Sequence, residues 1–179
     1  MTTEIQIPFL NELDYLPYLD DKGNLPEEVQ KKIGIYAIFD QDKTLQFVGY
    51  SRDIYLSLKQ HLVRKPEACH WLKVQKIAKP NRTQLENTRN TWIEENGTIP
   101  PGNGLEEAVW NQPIDAKLEM TEEEKVKYEN SDELMKSKLL KKISRRVEAQ
   151  ILEELKSRGV QMEIHFNPKL KEKGLLDLK

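Results

Sequence analysis

Few residues of this chain are of the types that do chemistry unaided. There is one cysteine, Cys69, and there are three histidines, His61, His70 and His165. A lone cysteine forms no internal disulfide and fits a reducing compartment. His61, Cys69 and His70 lack the spacing of zinc ligands, so a transition-metal centre is not expected. Glu86 closes the run Thr83-Gln84-Leu85-Glu86, which has the form of a capping box in which the carboxylate reaches back to the Thr83 amide. Tyr36, taken alone, reads as one more aromatic in a β core. His61, between Leu58 and Leu62, reads as a surface residue, and Phe47 as core. Lys136, Lys138, Lys141, Lys142, Arg145 and Arg146 form the one dense cationic run. Beside an apolar stripe such a run is first a solvated helix face, and it is where nucleic acid would bind outside a cleft. A sparser basic set comprises Lys73, Lys76, Lys79, Arg82 and Arg89.

The balance of charge limits what these residues can grip. Among 179 residues, 28 Lys and Arg stand against 30 Asp and Glu, a net charge of −2, so no sequence-blind attraction to phosphate follows. With 37% hydrophobic and 32% charged residues the composition is that of a chain with an ordinary core, and no run of about 18 apolar residues suggests a membrane span. Met1 to Ile7 lack the order of a secretory signal, so the expectation is a cytoplasmic protein, or one of the plastid stroma if the source is a plant.

The elements that must position the polar residues follow from periodicity. Residues 1–32 combine acidic side chains (Glu12, Asp14, Asp20, Asp21, Glu27, Glu28) with apolar anchors and three prolines, an irregular strap over a core. Ile33 to Asp40 is almost wholly apolar, and Leu45 to Tyr50 follows a polar turn, which predicts a β-hairpin. Ser51 is placed to cap a helix carrying Ile54, Leu58 and Leu62 and ended by Pro66. His70 to Ile77 reads as a third strand. Thr83 opens a helix closed at Asn96-Gly97, and a loop runs from Thr98 to Gly104. Asn130 is placed to cap a long amphipathic helix, Asp132 to Arg158, stopped by Gly159. Val160 to Phe166 alternate apolar and polar, which predicts one more strand in the sheet. No composition shift marks a second domain, so residues 1–179 read as a single domain, with a core at 33–103 and a C-terminal extension at 104–179.

Gly34-Ile35-Tyr36 on the first strand, with Phe47-Val48-Gly49 on the second beginning eleven residues after Tyr36, resembles the GIY-YIG endonucleases. The chain looks like a divergent member of that superfamily, the match covering about two fifths of its length, in the family's order of strand, strand, helix, strand, helix. The fold the resemblance implies is α+β, a small antiparallel β-sheet flanked by helices, to which this chain adds the long C-terminal amphipathic helix and the C-terminal strand. The resemblance also implies a site. In that family two tyrosines, a helical arginine, a glutamate and an asparagine surround a divalent cation and a phosphate. Carried over by position, Tyr36 assists the attacking water, Glu86 holds the metal, magnesium or manganese, and Asn103 shapes the site. Phe47 stands where the second tyrosine belongs and Ser57 where the arginine belongs; of the possible substitutes Tyr50, Arg52, His61 and Arg64, Arg52 in the preceding turn is the better candidate.

The catalytic set that results is incomplete. One reading is therefore a metal-dependent nuclease of weak or lost activity, with nucleic acid as substrate. The alternative is a non-catalytic module on the same scaffold that binds protein or nucleic acid. No membrane partner is expected, and the oligomeric state is not legible.

Overall fold

The computed structural model describes residues 7–179; the first six residues of the strap lie outside the described residues. The described residues form two compact units, the first ending at Asn111 and the second spanning Gln112–Lys179.

The first unit is built on a four-stranded antiparallel sheet. The strands are β1 (Leu16–Pro17), β2 (Ile33–Phe39), β3 (Leu45–Ser51) and β4 (Trp71–Ile77), in the order β1-β4-β2-β3. β2 is central and buried along nearly its whole length, which is why its sequence is continuously apolar. It pairs with β3 in the register Tyr36↔Gly49, Ala37↔Val48, Ile38↔Phe47, and with β4 in the register Tyr36↔Val74, Ala37↔Lys73. The polar turn of the hairpin is tied by Asp40, whose Oδ1 accepts from the amides of Asp42 and Thr44 at 3.0 and 2.9 Å.

The two faces of β2 serve two helices. Ile35, Ala37 and Phe39 share a core with Leu85 and Trp92 of α2 (Arg82–Asn96). Tyr36 faces the other way, toward His61 of α1 (Ile54–Arg64). Both helix starts differ from expectation. α1 is capped by Asp53, which accepts from the Leu56 amide at 3.3 Å, and not by Ser51, whose hydroxyl is held in the turn by the Asp53 backbone. α2 is capped by Asn81, which accepts from Gln84 at 3.0 Å, so the Thr83–Glu86 capping box does not form. Gly97, at φ 84°, ends α2 in the left-handed conformation that glycine adopts without strain. A short helix, α3 (Glu107–Asn111), completes the unit, after a single turn at Pro101–Asn103 within the expected loop.

The strap is fastened to this body by α2 and the sheet. Trp92 Nε1 donates to Pro8 O at 3.2 Å, and the Glu95 carboxylate accepts from the amides of Leu10 and Asn11, both at 3.0 Å. Leu16 and Pro17 add the edge strand beside β4, which was not foreseen in an irregular segment.

The second unit is organised by α5 (Glu133–Ser157), whose Leu139, Ile143, Val147 and Leu155 are buried as the four-residue step requires. Its cap is Asp132, accepting from Met135 at 2.8 Å. Asn130 instead ends a helix that was not foreseen, α4 (Glu122–Glu129), opened by a Thr121–Glu124 capping box. The expected strand over Val160 to Phe166 is corrected. Its apolar residues are half-buried or buried in alternation, but only Phe166 makes a bridge, to Leu178. The strands of this unit are β5 (Ile114–Asp115) and β6 (Leu175–Leu176), which pair with each other, while a four-residue helix, α6 (Pro168–Lys171), precedes β6.

Candidate functional site

The sheet face toward α1 carries an aromatic cluster. Tyr36 is 3% exposed, and its hydroxyl lies 2.8 Å from His61 Nε2. Phe47 stacks nearly parallel on Trp110, with centroids 5.2 Å apart, and packs at a tilt of 50° against His61, with centroids 4.6 Å apart. His61 is therefore buried, which corrects its reading as a surface residue. It sits on the stripe of Ile54, Leu58 and Leu62 that α1 turns inward. Burial pushes its pKa down to about 3, with the Arg64 charge adding to the effect, and burial raises the Tyr36 phenol well above its usual value. At neutral pH both groups are uncharged.

Close packing accounts for two glycines of the strands. A Cβ at Gly34 would fall 2.2 Å from Gln75 O on β4. At Gly49 it would fall 2.5 Å from the Phe47 ring and 2.8 Å from the Tyr36 hydroxyl. Glycine at these positions is required by the fit of β2 between its neighbours and by the Tyr36 ring lying over β3.

Beside this cluster opens a groove of about 420 Å³ between β3, α2 and the segment from Asn103 to Asn111. Tyr36, Phe47 and Gly49 lie at its base, and Tyr50, Arg89 and Asn90 form one wall. The Arg89 guanidinium sits 5.3 Å from the centroid of the Tyr50 ring. The Tyr50 hydroxyl donates to Glu86 Oε1 at 3.1 Å, and Arg82 Nε donates to the same oxygen at 2.9 Å. Arg82, then Tyr50, hold the Glu86 carboxyl below its usual pKa.

Asn103 closes the opposite side. Its Oδ1 accepts from Val48 N and its Nδ2 donates to Val48 O, both at 2.8 Å. The side chain thus pairs with the outer edge of β3 as another strand would. Gly102 packs against the same edge, where a Cβ would meet Gln46 O at 2.7 Å.

Of the expected site residues, the structure brings Tyr36 and Asn103 to one groove. Glu86 reaches its wall through Tyr50, and Arg52 lies exposed in the turn before α1, outside the groove lining. Among the described residues no three or more His, Cys, Asp or Glu side chains are grouped to hold a metal ion. Sequence reasoning passed over Trp110 and Asn111 entirely, and treated Arg89 only as part of a basic set. Cys69 is fully buried just before β4.

The chain is thus an α+β protein with a small antiparallel sheet and several helices, and no helix among the described residues is long and apolar enough to cross a membrane. No family model matches it. It is similar to a protein of Arabidopsis thaliana, the bifunctional monothiol glutaredoxin-S16, chloroplastic, at 36% identity over 98 residues. That alignment takes in 52% of this chain and 32% of the relative, so the chain spans about a third of the length of the protein it matches.

These comparisons overturn the endonuclease resemblance. The relative is named a bifunctional monothiol glutaredoxin, not a GIY-YIG enzyme. Hydrolysis of nucleic acid by a GIY-YIG nuclease falls with it, as does the magnesium or manganese ion assigned to Glu86. The side chains offer a physical reason for the misreading. The two glycines answer to strand packing, Phe47 is engaged with Trp110, and the Glu86 carboxylate is already shared by Arg82 and Tyr50.

Proposed function

We propose that this chain is a binding module that recognises a protein partner, a thiol-redox protein of the kind the relative's name describes, through the groove beside Tyr50 and Arg89. The observation that carries the reading is the disposition of the polar groups. The Tyr36 hydroxyl is spent on His61 inside the cluster, and Asn103 is spent on Val48. What the groove turns outward is the half-buried Arg89, its guanidinium 5.3 Å from the Tyr50 ring centroid, with Asn90 and Glu107 exposed on the same lining. A guanidinium steadied beside an aromatic ring is a ready charge-assisted donor to a carboxylate of a partner side chain.

The chain's own chemistry supports a partner's role over a redox centre. A reactive thiol needs exposure and an electropositive setting, and the sole cysteine is fully buried. The match to part of a protein named as bifunctional supports pairing with a glutaredoxin, as an attached segment or a separate chain. The chloroplastic relative supports the plastid stroma, or the cytoplasm of a cell without plastids, as the place of action.

Calorimetric titration of the chain with a monothiol glutaredoxin tests the proposal. Saturable binding is expected, with Arg89→Glu weakening it by at least about tenfold, since one charge-assisted contact becomes a repulsion. Absence of heat with wild type, or equal affinity in the mutant, overturns it.

A further inference from the structure

A second groove of the first unit, about 400 Å³, lies between the strap, the hairpin turn and the loop after α2. Its most unusual wall residue is Lys73. By its register opposite Ala37 it stands on the core face of the sheet, where its neighbours Phe39 and Leu45 are apolar, and it is only 6% exposed. Its Nζ donates to Leu10 O at 3.1 Å and lies 4.2 Å from the centroid of the Tyr15 ring. Burial pulls its pKa below the ordinary lysine value.

A second ammonium approaches the same ring. Lys43 Nζ lies 4.8 Å from the Tyr15 centroid and 4.9 Å from that of Trp71. Lys43 adopts φ 63°, a left-handed conformation in which a lysine is strained and a glycine is not. Two lysine side chains thus approach one aromatic ring, and the carboxylates of Glu95 and Asp14 act on Lys73 from nearby. The nearby Glu95 carboxylate has an oxygen on each of the Leu10 and Asn11 amides and forms no ion pair with either lysine. Above them Ile99, 68% exposed, offers apolar surface at the rim.

We propose that this groove binds a small organic carboxylate, its anionic group between the ammonium groups of Lys43 and Lys73 and its apolar body on Tyr15, Phe39 and Ile99. An anion beside Lys73 adds its attraction to that of Glu95 and Asp14, which favour the charged ammonium against the burial that disfavours it. The aromatic wall and Ile99 select a ligand with an apolar body over a bare anion. This site is separate from the groove beside Tyr50 and does not depend on the partner proposed for it.

The test is titration of the ¹⁵N-labelled chain with phenylacetate, its neutral isostere phenylacetamide, and acetate, followed by amide chemical shifts. Phenylacetate should saturate shifts at Tyr15, Lys43 and Ile99, and the other two should bind at least about tenfold more weakly. Lys43→Gly keeps the fold, because glycine takes the turn conformation freely, and should weaken phenylacetate by about tenfold. Equal binding by phenylacetamide or acetate, unchanged affinity in Lys43→Gly, or no saturable shift by about 20 mM overturns the proposal.

Discussion

At the scale of single residues the first unit turns on His61 and Tyr36, two polar groups that share one hydrogen bond inside an aromatic cluster. A histidine that folds neutral must be protonated for acid to stabilise the unfolded chain, so its depressed pKa sets a pH window. The unfolded value is near 6.5 and the folded one about 3, so the unfolded state binds the extra proton between them. Stability is full above pH 6.5 and falls by about 1.4 kcal/mol per unit below it, reaching a loss of about 2 kcal/mol at pH 5. Ordinary carboxylates titrate mostly below that window. Denaturant melts at pH 7 and pH 5 should show the loss in wild type and little of it in His61→Gln. Equal losses in both would remove His61 as the cause. The placement of His61 was legible in principle: at three residues from Leu58 and seven from Ile54 it falls on the apolar stripe. Glu86 was not legible in the same way, because the choice between Thr83 and Asn81 as cap depends on where β4 ends and the chain turns.

Among the elements, the hairpin, the third strand, α1, α2 and the long α5 could be read from periodicity, because each buries one face or both against a core. Short elements could not. β1 has two residues, and its pairing to β4 depends on prolines and anchors meeting a sheet edge. Val160 to Phe166 show the limit from the other side. Alternation reports that one face is buried, but a ladder needs a partner strand, and there the chain has only the Phe166–Leu178 bridge. The role of Asn103 also belongs to this scale. β3 is an edge of the sheet, and an exposed edge invites pairing with other chains; Asn103 satisfies the fully buried Val48 in both directions. Asn103→Ala should therefore cost about 2 to 4 kcal/mol, since two buried backbone groups lose partners together. Urea unfolding measures this. A change below about 0.5 kcal/mol would show that water replaces the side chain without penalty.

For the molecule as a whole, two units, each with its own core, carry different charge. The strap of the first is acidic, and α5 of the second is rich in Lys and Arg. The net charge of −2 conceals this, which is why composition excluded general phosphate binding without naming a partner. The tripeptide pattern pointed to a family that the comparisons do not support, since glycines demanded by strand packing resemble glycines kept for a site. The account that remains is a binding module whose recognition face is the groove of Tyr50, Arg89 and Asn90. Amide-shift mapping of the ¹⁵N-labelled chain with an unlabelled monothiol glutaredoxin tests it most directly. The expected result is that shifts gather at Tyr50, Arg89, Asn90 and Asn111 and vanish in Arg89→Glu. Shifts gathered on another face, or none with glutaredoxin in excess, would contradict it.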